Sequence, residues 1–170
     1  MVEAQKRWTA TIDWRIEEKI DDILSEPQPH FHDIKAQYPH YYHGRSREGN
    51  CMYYERPGLS TIRPLLKQKH LSIPATVRHY LFTTEWLWKH LDPRPDGRLI
   101  SVYDCTGIKT SDLAGDIFKL MKAMMKVMQA HYPERSAKML IINAPSWFTT
   151  IWSMISPLID PVTKTKIKIL

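Results

Sequence analysis

Glycine is scarce in this chain, six in 170 residues. Little material is left for a phosphate-cradling loop, and neither GxGxxG nor GxxxxGK[ST] occurs. The GxSxG elbow of serine hydrolases is missing as well. Cysteine is scarcer still. Cys51 and Cys105 have no CxxC spacing and no secretory leader beside them, so reduced thiols in a cytoplasmic protein are expected, not a disulfide framework. No uncharged apolar run approaches the roughly 18 residues of a spanning helix. The stretch 144–159 has the composition but carries Pro145 and Pro157. Any membrane contact is therefore expected to be peripheral.

Catalytic groupings are equally thin. Cys105 follows a strand and lacks an arginine at phosphatase-like spacing, which fits a structural thiol. Asp104, Glu134 and Asp160 have no partner recognisable as a general acid or base. His30, His32, His40 and His43 gather in one region, but they offer no helical i, i+4 pair, no cysteine pair and no HExxH. Surface or half-buried histidines are expected there, with no metal and no enzyme activity.

What is present suits one globular domain, 43% hydrophobic and 25% charged. A net charge of +6 and a pI near 9.3 imply attraction to polyanions, either nucleic acid or an anionic membrane surface. Trp147 and Trp152 lack interleaved basic residues, which weighs against nucleic acid.

Helix and strand signals alternate along the chain. Val2 to Leu24 reads as a helix, with Ile12, Ile16, Ile20, Ile23 and Leu24 in one stripe, and stops at Glu26-Pro27-Gln28-Pro29. Tyr38, Tyr41, Tyr42, Tyr53 and Tyr54 flank the polar turn 45–50, which suits a hairpin or loop feeding a strand over 51–56. These tyrosines either pack a core or line a site for a quaternary ammonium and a phosphate. Thr76 to Leu91 reads as a helix and Leu99 to Asp104 as a strand. The clearest amphipathic helix runs from Ser111, the expected N-cap, to His131. Met121, Met124, Met125 and Met128 on its stripe are either core filler or an adaptable surface for acyl chains. Met139 to Ile142 reads as a strand buried on both faces, and Lys166 to Leu170 begins another. Between them, Ser146 to Ile159 reads as a helix with no charge on any face. Such a helix is either deep core or a lid over an apolar ligand. The alternation predicts an α/β fold with a largely parallel sheet.

Two blocks carry a resemblance. One is Tyr132-Pro133-Glu134-Arg135, Ile141-Ile142-Asn143-Ala144-Pro145 and Asp160-Pro161-Val162-Thr163, followed by Lys166. The other runs from Tyr38-Pro39-His40-Tyr41-Tyr42-His43-Gly44 through Glu48-Gly49 to Met52-Tyr53-Tyr54-Glu55-Arg56. In this order they resemble the CRAL-TRIO lipid-binding family, in particular its phosphatidylinositol/phosphatidylcholine transfer branch, over most of 37–170. The resemblance implies an α/β domain in which a largely parallel mixed sheet, flanked by helices, stands over an apolar lipid pocket. Residues 1–29 would be the last helix of an N-terminal helical region with its linker. Residues 30–170 would be the lipid-binding domain, incomplete at its C-terminus.

The resemblance also implies roles. A phosphatidylinositol headgroup matches Glu134, Lys166, Thr163 and Asp160, together with an arginine of the upstream helices that lies outside this chain. A phosphatidylcholine headgroup matches Tyr42, Tyr53 and Ser101, with Leu99 standing where the family has a further hydroxyl. The gate helix and acyl pocket match Trp147, Phe148, Ile151, Trp152, Ile155 and Leu158. The expected function is binding of phosphatidylinositol, with phosphatidylcholine exchange, and transfer between membranes in vesicle trafficking or phosphoinositide signalling. Carriage of a tocopherol, retinoid or sterol, or lipid presentation without transfer, are the alternatives. The ligand is a bound phospholipid, with no cofactor and no nucleic acid. A monomer is expected that touches anionic Golgi or endosomal membranes transiently, aided by Lys164, Lys166 and Lys168.

Overall fold

The computed structural model describes residues 2–68 and 70–170. Two helices, α1 (Val2–Glu17) and α2 (Phe31–Gln37), lead into a five-stranded sheet. β1 (His40–Arg45) and β2 (Cys51–Glu55) form an antiparallel hairpin, and in its turn the Ser46 hydroxyl accepts from the amides of Glu48 and Asn50. α3 (Arg63–Lys67) and α4 (Ile73–Trp86) carry the chain to β3 (Leu99–Asp104). α5 (Asp116–His131) crosses to β4 (Ser136–Ile142), and α6 (Phe148–Ile155) with α7 (Pro161–Thr165) to β5 (Ile167–Ile169). Strands β2 to β5 pair in parallel in chain order, which is what helical crossovers between neighbouring strands permit. The fold is α/β, with a mixed, mostly parallel sheet flanked by helices. No described helix is long and apolar enough to cross a membrane.

Several boundaries differ from the periodicity, each for a local reason. The first helix does not reach Leu24. Lys19 takes a left-handed conformation (φ 50°) and a 3-10 turn, Ile20–Asp22, follows. The break drops Ile20 and Ile23, both 0% exposed, onto Leu81, while Ile12 and Ile16 stay on the surface. The stripe expected to run unbroken is thereby split. α1 is instead anchored near its end by Trp14 and by the polar groups of Arg15. Trp14 stacks on His131 at 3.9 Å, and Arg15 forks onto both oxygens of Glu85 at 3.0 Å. The Tyr132 hydroxyl donates to the same carboxylate at 2.6 Å.

α5 starts at Asp116, not Ser111. Thr110–Leu113 form a separate 3-10 turn, and Gly115 takes the capping position at φ 64°, a conformation open to glycine at little cost. α4 yields after Trp86 to a single π-helical turn, Leu87–Leu91. The helix expected over 146–159 is α-helical only from Phe148 to Ile155, with a 3-10 turn at Ser156–Leu158 where Pro157 removes a donor. Nor is it apolar all round: Thr149, Thr150 and Ser153 are exposed. The Thr149 and Ser153 hydroxyls donate to carbonyls of Ser146 (3.2 Å) and Thr150 (2.7 Å) three residues back, so this outer face is polar in composition yet internally satisfied. β4 is not buried on both faces, since none of its residues is fully buried and one face looks onto a cavity. His40, expected to be on the surface or half-buried, is only 4% exposed.

Because Ile23 seats the N-terminal segment against Leu81, Ile23→Ala should destabilise the fold by about 2–4 kcal/mol in urea denaturation. An unchanged midpoint would mean that the segment is not part of the cooperative unit.

Candidate binding site

The site is built on strand parity. Along β3, Leu99, Ser101 and Tyr103 share one face, since side chains alternate. Their partners on β2 put Tyr53 and Glu55 on the same face, and Tyr42 of β1 stands opposite Tyr53. On β4 the partners are Ser136, Met139 and Ile141, and Ile167 of β5 pairs with Met139. Ser136 and Met139 would point to opposite faces of a regular strand. A register shift, one step on β3 against two on β4 between the Leu99–Ser136 and Ile100–Lys138 pairs, turns them to the same side.

These side chains line two adjoining cavities. The larger, about 770 Å³, is bordered by Tyr42, Tyr53, Tyr80, Trp88, Ser101 and Tyr103 and also by Glu134, Asp160, Thr163 and Lys166. The second, about 510 Å³, lies under Met121, Met124, Met125 and Met128 of α5 and Phe148, Trp152 and Ile155 of α6. Tyr80, Tyr103, Met125, Met128, Gln129, Met139 and Thr163 border both. Each volume falls within the range of about 300–1,000 Å³ common for small-molecule pockets.

All seven residues nominated for headgroup contact therefore border one cavity. The six gate residues divide. Phe148, Trp152 and Ile155 line the smaller cavity and Leu158 the larger, whereas Trp147 and Ile151 line neither. Trp147 packs against the buried cluster of Cys105, Ile108 and Phe148.

Polar groups at the wall are already partly engaged. Lys166 Nζ lies 3.1 Å from Glu134 Oε2, the lysine side chain 17% exposed and the carboxylate 66%. Asp160 caps α7, accepting the Thr163 amide at 2.8 Å. The Tyr53 hydroxyl donates to Glu55 at 2.8 Å, the Tyr38 hydroxyl donates to the same carboxylate, and the Tyr42 hydroxyl donates to the Thr83 carbonyl at 3.3 Å. Burial raises the pKa of Glu55, against the two tyrosine donors, and holds Tyr42 and Tyr53 protonated. Burial, then the neighbouring Asp104, pushes the Cys105 thiol up to about 11, leaving a poor nucleophile. Among the described residues no three His, Cys, Asp or Glu side chains converge as metal ligands.

Tyr80, Trp88, Tyr103 and Ser136 also border the larger cavity and were not among the expected site residues, although helical spacing over Thr76–Leu91 turns Tyr80 and Trp88 inward. Alternation from Ser101 points to Tyr103. No sequence signal announces Ser136, because the register shift reverses its face.

Comparison with known proteins agrees with this architecture. The CRAL/TRIO domain family matches residues 35–170. A SEC14 cytosolic factor of Yarrowia lipolytica is 30% identical over 98% of this chain and 35% of its own length. The phosphatidylinositol/phosphatidylcholine transfer protein SFH9 of Arabidopsis thaliana is 28% identical over 96% of this chain and 29% of its own. The chain thus spans about a third of these relatives. The crystal structure of Sfh5 superimposes with a TM-score of 0.78 at 18% identity, covering 100% of this chain and 61% of that one, a likeness of fold.

A buried imidazole pair beside the hairpin sets a pH dependence. His40 Nδ1 lies 2.8 Å from the Tyr38 carbonyl, which can only accept, so that nitrogen carries the proton and Nε2 accepts from His79 Nε2 at 3.3 Å. Burial, then the charge of Lys35, lowers His40 to about 4; burial, then His40 and Lys35, lowers His79 to about 3. With both folded values below the ordinary 6.5, the unfolded chain takes up protons first. Stability should fall as pH drops below that value, by up to about 1.4 kcal/mol per pH unit for each imidazole. Urea unfolding between pH 7 and 5 should record the fall, and His79→Phe should flatten it. Identical slopes in the two proteins would exclude the pair as its source.

Proposed function

Because the chain belongs to the CRAL/TRIO domain family, we propose that it binds a phospholipid in the cavities beside the sheet and carries it between membranes, as a carrier and not a catalyst. The observation that carries the proposal is the pairing of two adjoining hollows. One is walled by methionines and the inner side of α6, the other holds the Lys166–Glu134 pair and the tyrosines. Acyl tails removed from water gain about 25 cal/mol per Å² of apolar surface, and a headgroup finds its polar partners in the same interior.

Phosphatidylinositol is the first headgroup. Lys166 supplies positive charge to the phosphate, and Glu134 accepts from ring hydroxyls or orients the lysine. Thr163 and Asp160 stand beside them, the latter chiefly as the cap that fixes α7. Phosphatidylcholine is the second, met by Tyr42, Tyr53 and Ser101 in the same wall; relatives named for transfer of both lipids support the pair. For the tyrosines to donate to phosphate, their hydroxyls must leave Thr83 and Glu55.

Entry requires α6 to swing. The 3-10 turn that follows it is held by the Gln129 side-chain amide, which donates to the Leu158 carbonyl at 3.0 Å. Met154 of α6, Leu158 of the 3-10 turn and Val162 of α7 are 55%, 39% and 54% exposed, and they are the apolar side chains offered to a bilayer around this helix. The exposed cations Lys122, Lys126 and Arg7 border the larger cavity and favour an anionic leaflet.

Uptake of labelled phosphatidylinositol and phosphatidylcholine from vesicles tests the reading. Lys166→Ala should reduce phosphatidylinositol uptake by about tenfold or more and spare phosphatidylcholine, as expected for one charge-assisted contact. Equal loss of both lipids would assign the lysine a structural task only.

A further inference from the structure

The smaller cavity has a polar end of its own. Ser60, Arg63 and Asp112 border it, and among the described residues Arg63 is the one Lys, Arg or His side chain in its wall. These groups follow the carboxyl ends of β2 and β3, the end at which ligands of parallel sheets commonly bind. The backbone of Gly58, in the turn after β2, lies against Thr106 to Ile108, in the turn after β3. α3, with Arg63, follows the first turn, and the 3-10 turn Thr110–Leu113, with Asp112, follows the second. The larger cavity reaches the other end of the strands, where the Leu99 amide donates at 2.8 Å to the Arg135 carbonyl, next to Glu134. Leu99 borders the larger cavity and Cys105 the smaller, and the two are about 20 Å apart along the strand.

Arg63 is loosely held. Asp112 Oδ1 lies 3.8 Å from its Nη2, an ion pair beyond hydrogen-bond distance. Arg15, Arg78 and Arg94 instead fork onto carboxylates at 2.6 to 3.1 Å. Asp112 has a task without Arg63, since its Oδ2 accepts the Lys109 amide at 2.9 Å and closes the 3-10 turn. The Ser60 hydroxyl accepts the Ile62 amide at 3.4 Å, which leaves its own proton to donate. The Arg63 and Asp112 side chains are 41% and 33% exposed and also border the cavity, so the hollow reaches solvent between them. Behind this mouth the wall is apolar, with Ile117, Leu120, Met121 and Met124 of α5 and Ile155 of α6.

We propose that the smaller cavity, about 510 Å³, is a binding site for a long-chain fatty acid, with its tail among the methionines and its carboxylate on Arg63. The assignment does not depend on the phospholipid reading, although both ligands use the methionine wall. A single carboxylate suits the mouth because it takes over the role of Asp112 one charge for one, at hydrogen-bond distance, with the planar fork that arginine offers. Ser60 donates to the same group. A phosphate monoester would bring roughly two negative charges beside Asp112. An alcohol of the same chain length gains the apolar wall and forgoes the guanidinium, so it separates the two contributions.

Equilibrium dialysis of the full chain against radiolabelled oleate, kept below its aggregation concentration, or oleyl alcohol tests the assignment. Arg63→Gln should weaken oleate binding by about tenfold and leave oleyl alcohol unchanged. Asp112→Asn, whose amide oxygen still accepts from Lys109, should strengthen oleate binding because a competing charge is gone. Chain pre-loaded with oleate should take up labelled phosphatidylcholine from vesicles more slowly than empty chain. Equal loss of both probes in Arg63→Gln would make the arginine structural and overturn the proposal, as would full oleate binding by that variant. Oleate that leaves phosphatidylcholine uptake unchanged would lie outside the cavity and overturn it too. A chain that takes up phospholipid and no oleate would overturn this site and leave the carrier reading intact. Arg63-dependent oleate binding by a chain that takes up no phospholipid would support the site and sink the carrier reading.

Discussion

Alternation along β3 is the constraint from which the interior follows. Once Leu99, Ser101 and Tyr103 face α5, hydrogen-bonded register brings Tyr42, Tyr53, Glu55, Met139, Ile141 and Ile167 to the same side. That face is mixed in size and polarity, and the helix above it is rich in methionine, whose unbranched side chain adapts to irregular gaps. The two layers do not close on each other. Between them lie the cavities, with the hydroxyls, the Lys166–Glu134 pair and the methionines distributed around their walls.

The solid core lies elsewhere, and this is why the hollow is tolerated. Ile34, Ile62, Leu66, Leu71 and Leu120 form one buried cluster, and Ile20, Ile23 and Leu81 another. α1 adds the Arg15–Glu85–Tyr132 group, in which a single carboxylate receives an arginine fork and a phenol. A frame fixed in these places leaves α6 free of the main clusters. Phe148 and Trp152 attach it to the small cluster with Cys105 and Ile108, and the Gln129 contact at Leu158 holds the turn that follows it.

Much of this was legible in the sequence, because alternation of strand and helix is a strong signal and the two family blocks fall on β1–β2 and from the end of α5 onward. Other parts were not. Apolar periodicity cannot distinguish a residue that packs on a neighbour from one that lines a void, so Met139 to Ile142 read as doubly buried when one face borders a cavity. The break at Lys19 depends on Leu81, distant in sequence, which offers Ile20 and Ile23 a seat off the helix axis. The hydroxyls of α6 counted as little in a list of large apolar residues, yet they form its outer face. Ser136 was hidden for a geometric reason: parity fails across a register shift.

The central claim is that the space under α5 and α6 accommodates a diacyl lipid. Native mass spectrometry of the full chain after exposure to mixed phosphatidylinositol and phosphatidylcholine vesicles tests it most directly. A one-to-one complex, with a mass increment equal to a single phospholipid, is the predicted result. A spectrum holding only the unliganded mass, under conditions that keep the protein folded, would contradict it.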